Sequence, residues 1–421
     1  MNTRLMTVSA RLTILVAWML CPLAAQGRSR IFADNVKTLQ VVVNQNWMSM
    51  PVMRLRAGDV LNVGFDELSH NVHRYRYRLE HCEADWSPSE EIFESDWLEG
   101  FNDNTIDDYE NSLNTTVMYT HYWLQLPNDR CRLKMSGNYR LHIYDEDEGD
   151  ESDVICAEFM VTEELASLSI SATTNTDVDV NVSHQQIGMS LSYNGLAVTN
   201  PDEQIYTVVM QNCREDNSKQ NPQPNYITDK GLRWEHNRQL IFEAGNEYHK
   251  FEVLDVSHPT MGIDQISWDG HNFHAYPFTN EPRRNYIYDE DADGAFYIRN
   301  SNNVENDRIS DYVYVHYKLC PARHYPMAHI VVDGHWTTED AANYRMEYDE
   351  GDHSYNAVIL QKQGYYSYQY VMVDADGAAT HCVPEEGSFS QTENQYQALI
   401  YYKGTGARTW RLVAYQQVTL K

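Results

Sequence analysis

Basic residues are scarce in this sequence: 32 Lys+Arg stand against 61 Asp+Glu in 421 residues, a formal net charge of −29. That balance excludes nucleic acid and anionic membrane surfaces as favourable partners, because the same negative field repels both. Long apolar runs are also missing. The run from Leu12 to Ala25 is too short to span a bilayer comfortably, so an integral helical membrane protein is excluded. Helical periodicity is absent as well, since no segment keeps apolar residues at i, i+3, i+4 and i+7 over the length of a helix. Signatures of catalysis are lacking: there is no G-x-S-x-G, no H-E-x-x-H, no C-x-x-C and no phosphate-cradling G-x-x-x-x-G-K-[ST]. Carboxylates are plentiful, but nothing singles out two of them as a glycosidase pair.

What the sequence does have is tyrosine, 30 of them beside 9 Trp and 11 Phe. Tyr suits half-buried pleated surfaces and interfaces, where the ring packs and the hydroxyl stays wet. Short alternating or apolar runs bounded by turn residues recur along the chain, including Leu39–Val43, Val60–Val63, Tyr139–Tyr144, Ser167–Ile170, Tyr312–Val315, His329–Val332 and Tyr365–Val373. A period of two at this spacing predicts an all-β chain of tandem immunoglobulin-like or early-set β-sandwich domains.

Arg4 and Arg11 precede the apolar run, and Ala25-Gln26-Gly27 has the small-x-small pattern of a signal-peptidase site. Residues 1–27 therefore read as a signal peptide, with Arg28 the first mature residue. Lipid attachment at Cys21 is disfavoured because Trp18, Met19 and Leu20, none of them small, precede it. The mature part divides into an N-terminal β-sandwich (28–163), a middle β-rich unit (164–290) and a C-terminal early-set-like sandwich (291–421). The acidic cluster Asp145–Asp153 reads as a loop, Arg214–Asn225 as an exposed polar insertion, and Asn280–Arg284 as a boundary. Six cysteines remain after processing: Cys82, Cys131, Cys156, Cys213, Cys320 and Cys382. A disulfide between two of the first three and buried free thiols are both open readings.

Metal chemistry finds little support. Asp289, Asp291, Asp293 and Gly294 match positions 1, 3, 5 and 6 of an EF-hand loop, but position 12 is Asn300 rather than a bidentate Glu. A looser calcium loop at Asp289–Asp293 stays open. His70 with His73, and His271 with His274, are three apart; on a strand such side chains point to opposite faces and cannot chelate together. Trp336, on a turn after a buried strand, is either a core residue or a platform for stacking a sugar ring.

Several phrases, in this order, carry a resemblance across nearly the whole mature chain. They are Tyr77-Arg78-Leu79-Glu80-His81-Cys82, Ser112-Leu113-Asn114-Thr115-Thr116, Ser136-Gly137-Asn138-Tyr139, Gly245-Asn246-Glu247-Tyr248-His249-Lys250-Phe251-Glu252, Gln361 to Tyr370, Glu386-Gly387-Ser388-Phe389, and Thr392 to Tyr396. Together they resemble the plug proteins of the type IX protein-export system of Bacteroidota. The resemblance implies a periplasmic, non-enzymatic protein without cofactor or metal. It implies docking on the periplasmic opening of the outer-membrane translocon β-barrel, which the protein seals. It also marks Gly364, Tyr365, Tyr366, Tyr370, Glu386, Gly387, Glu393, Asn394 and Tyr396 as family positions, structural or in contact with the partner. The competing expectation is a glycan-binding sandwich protein of the cell envelope that uses Trp336.

Overall fold

The computed structural model describes residues 28–148, 152–373 and 381–420. The expected signal peptide and residues 149–151 of the acidic loop lie outside the described residues. The described chain is almost wholly β and forms three two-sheet sandwiches, as the period-two pattern requires.

In the first sandwich, one sheet runs in the order Arg30–Ile31, Asp153–Thr162, Gly137–Asp145, Tyr75–Cys82 and Asn104–Thr105, with Val52–Arg54 joining Asp153–Thr162 in parallel. The facing sheet runs Val36–Val43, Leu61–Glu67, Thr120–Leu126 and Asp108–Asn111. Alternation works as expected: in Tyr75–Cys82 the rings of Tyr75 and Tyr77 and the side chain of Leu79 are buried, while Arg76 and Arg78 stay half-exposed. Phe65, Tyr122, Tyr139, Leu141 and Phe159 fill the space between the sheets.

The second sandwich departs from the linear division read from the sequence. One sheet holds Ser167–Thr173, His184–Ser192, Gly231–Trp234 and Tyr226–Thr228, with Ile241–Glu243 also paired to His184–Ser192. The other holds Arg214–Gln220, Ile205–Gln211, Asn394–Tyr402 and Arg411–Leu420. Thus the final two strands of the chain complete the middle unit, and Tyr396, Ala398, Ile400 and Val413 share its core with Ile187 and Trp234. The polar stretch expected as a loop forms an edge strand instead. Asn212 and Cys213 both adopt positive φ, 53° and 55°, and make a two-residue hairpin turn between the paired Gln211 and Arg214. An edge strand needs no continuous apolar face, so the residues of Arg214–Gln220 can be polar and largely half-exposed.

The third sandwich is inserted between Ile241–Glu243 and Asn394–Tyr402. One of its sheets is built on Gly364–Val373, flanked by His249–Val253, Phe296–Ile298, His329–Asp333 and His381–Cys382. The other runs Ile263–Trp268, Phe273–Pro277, Tyr312–Leu319, Ser354–Lys362 and Glu347–Asp349. The passage Asn280–Arg284, read as a boundary, lies inside this unit: Tyr370 Oη donates to Asn280 Oδ1 at 2.7 Å. The chain crosses between the two sandwiches elsewhere, near Gly245 and Gly387. Among the described residues all six cysteines are free thiols, so of the two readings left open by the sequence the structure takes that of free thiols.

Candidate functional site

Three sandwiches could hang on flexible linkers or form one body, and the seams between them decide which. The seam between the first and third is organised by Asp66, which is fully buried. It accepts from Lys362 Nζ at 2.7 Å, from Tyr312 Oη at 2.6 Å and meets His121 Nδ1 at 2.7 Å. Burial works to raise the Asp66 carboxyl, but Lys362 and His121 outweigh it and hold it below its ordinary value. Lys362 also donates to the Asp307 carbonyl at 2.7 Å and lies 4.1 Å from the centre of the Tyr119 ring. Around this centre, Asp311 accepts the backbone N–H groups of Thr116 and Val117, and Tyr119 Oη donates to the Ser310 carbonyl. Lys37 pairs with Glu339, and Arg28 with Asp333.

The seam between the first and second sandwiches is mainly apolar. Met50, Cys82, Trp86 and Met160 of the first pack with Val208, Met210, Leu399, Tyr401 and Leu412 of the second in a cluster of their own. The buried Tyr401 hydroxyl is satisfied, donating to Asn138 Oδ1 at 2.7 Å. Arg411 pairs with Glu163 and Arg408 with Asp96 at the rim.

The family positions named above fall mostly on the junction of the second and third sandwiches. Glu386 is buried, 2.9 Å from His249 Nε2, paired with Arg283, and accepts the Tyr370 N–H at 3.1 Å. Burial opposes its charge, but His249 and Arg283 prevail and draw it down to about 2. Asn394 donates to Gln185 Oε1 and to the Ala244 carbonyl, and it accepts from Asn212. Tyr396 Oη donates to Gln185 Oε1 at 2.6 Å, while Gln185 Nε2 donates to the carbonyls of Ser390 and Thr392. Glu393 contributes its backbone N–H to Glu247. Gly387 has φ +74°, and a Cβ there would lie 2.9 Å from the Arg283 carbonyl oxygen. At Gly364 a Cβ would lie 2.4 Å from the Tyr297 carbonyl oxygen, so close strand approach demands glycine. Tyr366 is buried with its hydroxyl on the Lys362 carbonyl, and Tyr365 is half-buried with its ring edge towards Trp47, 5.9 Å away.

Trp336 does not form a sugar platform. It is buried in the third core, donates from Nε1 to the Ser367 carbonyl at 3.1 Å, and packs against Tyr317, Tyr344 and Tyr366. In the Asp289–Asp293 loop, Asp289 pairs with Lys250, and Asp291 accepts the N–H groups of Tyr248 and Asp293; burial pushes the Asp291 carboxyl up to about 7. His70 meets Ser112 rather than His73. His73 joins Asp145 at 2.7 Å instead, with Asp147 close by, a grouping not legible in the sequence because His73 lies 72 residues before Asp145.

Comparison with known proteins fits this architecture. The family model for the first domain of the type 9 secretion system plug protein matches residues 36–163, the first sandwich. The chain belongs to the type IX secretion system plug family. A crystal structure of a hypothetical protein from Parabacteroides merdae ATCC 43184 is 33% identical, with a TM-score of 0.90, covering 94% of this chain and 100% of that one. The three-sandwich fold is therefore shared, over nearly the whole chain, with a solved protein. An alkylpurine DNA glycosylase from Pseudomonas fluorescens bound to DNA also matches, but at 10% identity and a TM-score of 0.16 it carries no argument. No curated protein matches the sequence. Among the described residues, no helix is long and apolar enough to cross a membrane.

Proposed function

We propose that this plug-family protein is a periplasmic body that binds and seals the periplasmic opening of the outer-membrane type IX translocon barrel, without catalysing a reaction. Membership of the family supports association with the secretion machinery. The observation that carries the finer reading is the way three sandwiches are fastened into one unit by the Asp66–Lys362 centre, the apolar seam around Trp86 and Leu412, and the Glu386 junction. A wide aqueous pore is closed by a stiff object larger than its opening, and buried seams provide bulk without hinges. The acidic surface suits a barrel rim carrying basic side chains. The basic start, the apolar run and the small-x-small Ala25-Gln26-Gly27 support export.

The test is recovery of the tagged protein from detergent-solubilised outer membranes, with partners identified by mass. A large barrel should co-purify, and deletion should admit large antibiotics only in strains that retain the translocon. Recovery without a barrel, or equal leakage in strains lacking the translocon, would overturn the proposal.

A further inference from the structure

Between the first and third sandwiches, beside the Asp66 centre, lies an open groove of ≈ 740 Å³. We infer that this groove binds a neutral oligosaccharide, a role that stands independently of sealing a pore.

Three half-buried rings, Trp47, Trp123 and Tyr297, line it. They are held in place before any ligand arrives. Trp47 stacks on Tyr297 with ring centres 5.5 Å apart, and Trp123 stacks on His121 at 5.7 Å, which is itself fixed by Asp66. A pyranose offers a face of C–H groups with a rim of hydroxyls; the face packs on a preset ring and the rim needs both donors and acceptors. Asn62, Gln45 and Asp307 line the same groove and supply them. A few polar groups converging on an apolar cleft is the usual make-up of a small-ligand site.

Charge and backbone exclude the main competitors. Glu110, Glu305 and Asp307 outnumber the basic lining residues; Arg308 already pairs with Glu110 at 3.6 Å and Glu305 at 3.4 Å, and His121 with Asp66, so an anionic ligand is disfavoured. An extended peptide would need free backbone groups to pair with. The groove floor is instead the face of a sheet in which Leu61–Glu67 and Thr120–Leu126 bond to each other. The floor therefore offers its side chains.

The test uses the mature full-length chain with chitotriose, cellotriose and maltotriose as neutral probes, trigalacturonate as an anionic control, and a short oligolysine as a peptide control. Binding is read by tryptophan fluorescence and calorimetry. At least one neutral trisaccharide should bind; Trp123→Ala should weaken it by about tenfold or more and Asn62→Ala by about threefold, while Trp268→Ala, outside the groove, leaves it unchanged. Asn62→Ala, a polar half-exposed position, keeps the test decisive if Trp123→Ala does not fold. The inference falls if no neutral probe binds at about 10 mM, if trigalacturonate or oligolysine binds better, or if affinity survives Asn62→Ala and Trp123→Ala.

Discussion

Lys362 Nζ lies 2.7 Å from Asp66 Oδ2 although the two residues are 296 positions apart, and both side chains are wholly buried. Removing Lys362 leaves the buried Asp66 carboxylate with only His121 and Tyr312 to offset it, whereas neutralising Asp66 as well removes the stranded charge. Lys362→Met should therefore destabilise the protein by about 3–5 kcal/mol, and Asp66→Asn combined with Lys362→Met should recover most of that loss. Denaturant midpoints of the single and double variants measure the coupling. Equal losses in single and double variants would show that the pair is not the fastener.

Glu386 makes a prediction about acidity. Its folded-state value of about 2 lies below the ordinary 4.5, so it contributes stability that is complete above pH 4.5 and lost as the pH falls through 2. At pH 7 the stability difference between the wild type and Glu386→Gln should be about 3 kcal/mol. It should shrink steadily below pH 4.5. A difference that is constant from pH 7 to pH 2.5 would contradict the assignment.

The apolar seam predicts joint unfolding. Leu412 is fully buried between the first and second sandwiches, so Leu412→Ala should cost about 2–5 kcal/mol. Because the seam couples the two units, the wild type should lose far-ultraviolet dichroism and tryptophan fluorescence in one transition. The variant should separate the two probes.

Gly387 holds a left-handed turn where a methyl group would press on the Arg283 carbonyl and the Phe389 ring. Gly387→Ala should lower stability by about 1–3 kcal/mol, read as a drop in melting temperature. Gly58, also at positive φ but with nothing near its Cβ direction, should show a smaller loss on the same change.

Thiol chemistry gives a further check. Burial raises the Cys82, Cys131, Cys156, Cys213 and Cys382 thiols, Cys213 to about 12, so the folded protein should react slowly with a disulfide reagent at pH 8. Unfolding should expose these and Cys320, the six cysteines of the described residues, to the reagent without any reductant.

Local pattern made the sandwiches legible: Tyr312–Leu319 and Gly364–Val373 are strands because their alternating or β-rich residues allow little else. Partner choice over long distances was not legible. Nothing in Asn394–Tyr402 says that it pairs with Ile205–Gln211 rather than with the strands just before it. Arg214–Gln220 reads as a loop in the sequence because an edge strand can be as polar as one. The family positions stand in the sequence as separate phrases, but that most of them meet at one junction depends on Gln185, which lies in none of those phrases. Trp336 and the groove rings are the same residue classes in similar settings, and only packing separates buried from available.

The insertion of one sandwich within another sets an order on biosynthesis. A ribosome delivers Ile205–Gln211 early, but its sheet neighbour Asn394–Tyr402 and the strand beyond it arrive last. Until then the second unit exposes a raw edge, while the first can already close. A chain truncated before Asn394 would keep that edge for good and offer proteases a ready target, so only complete copies would escape degradation.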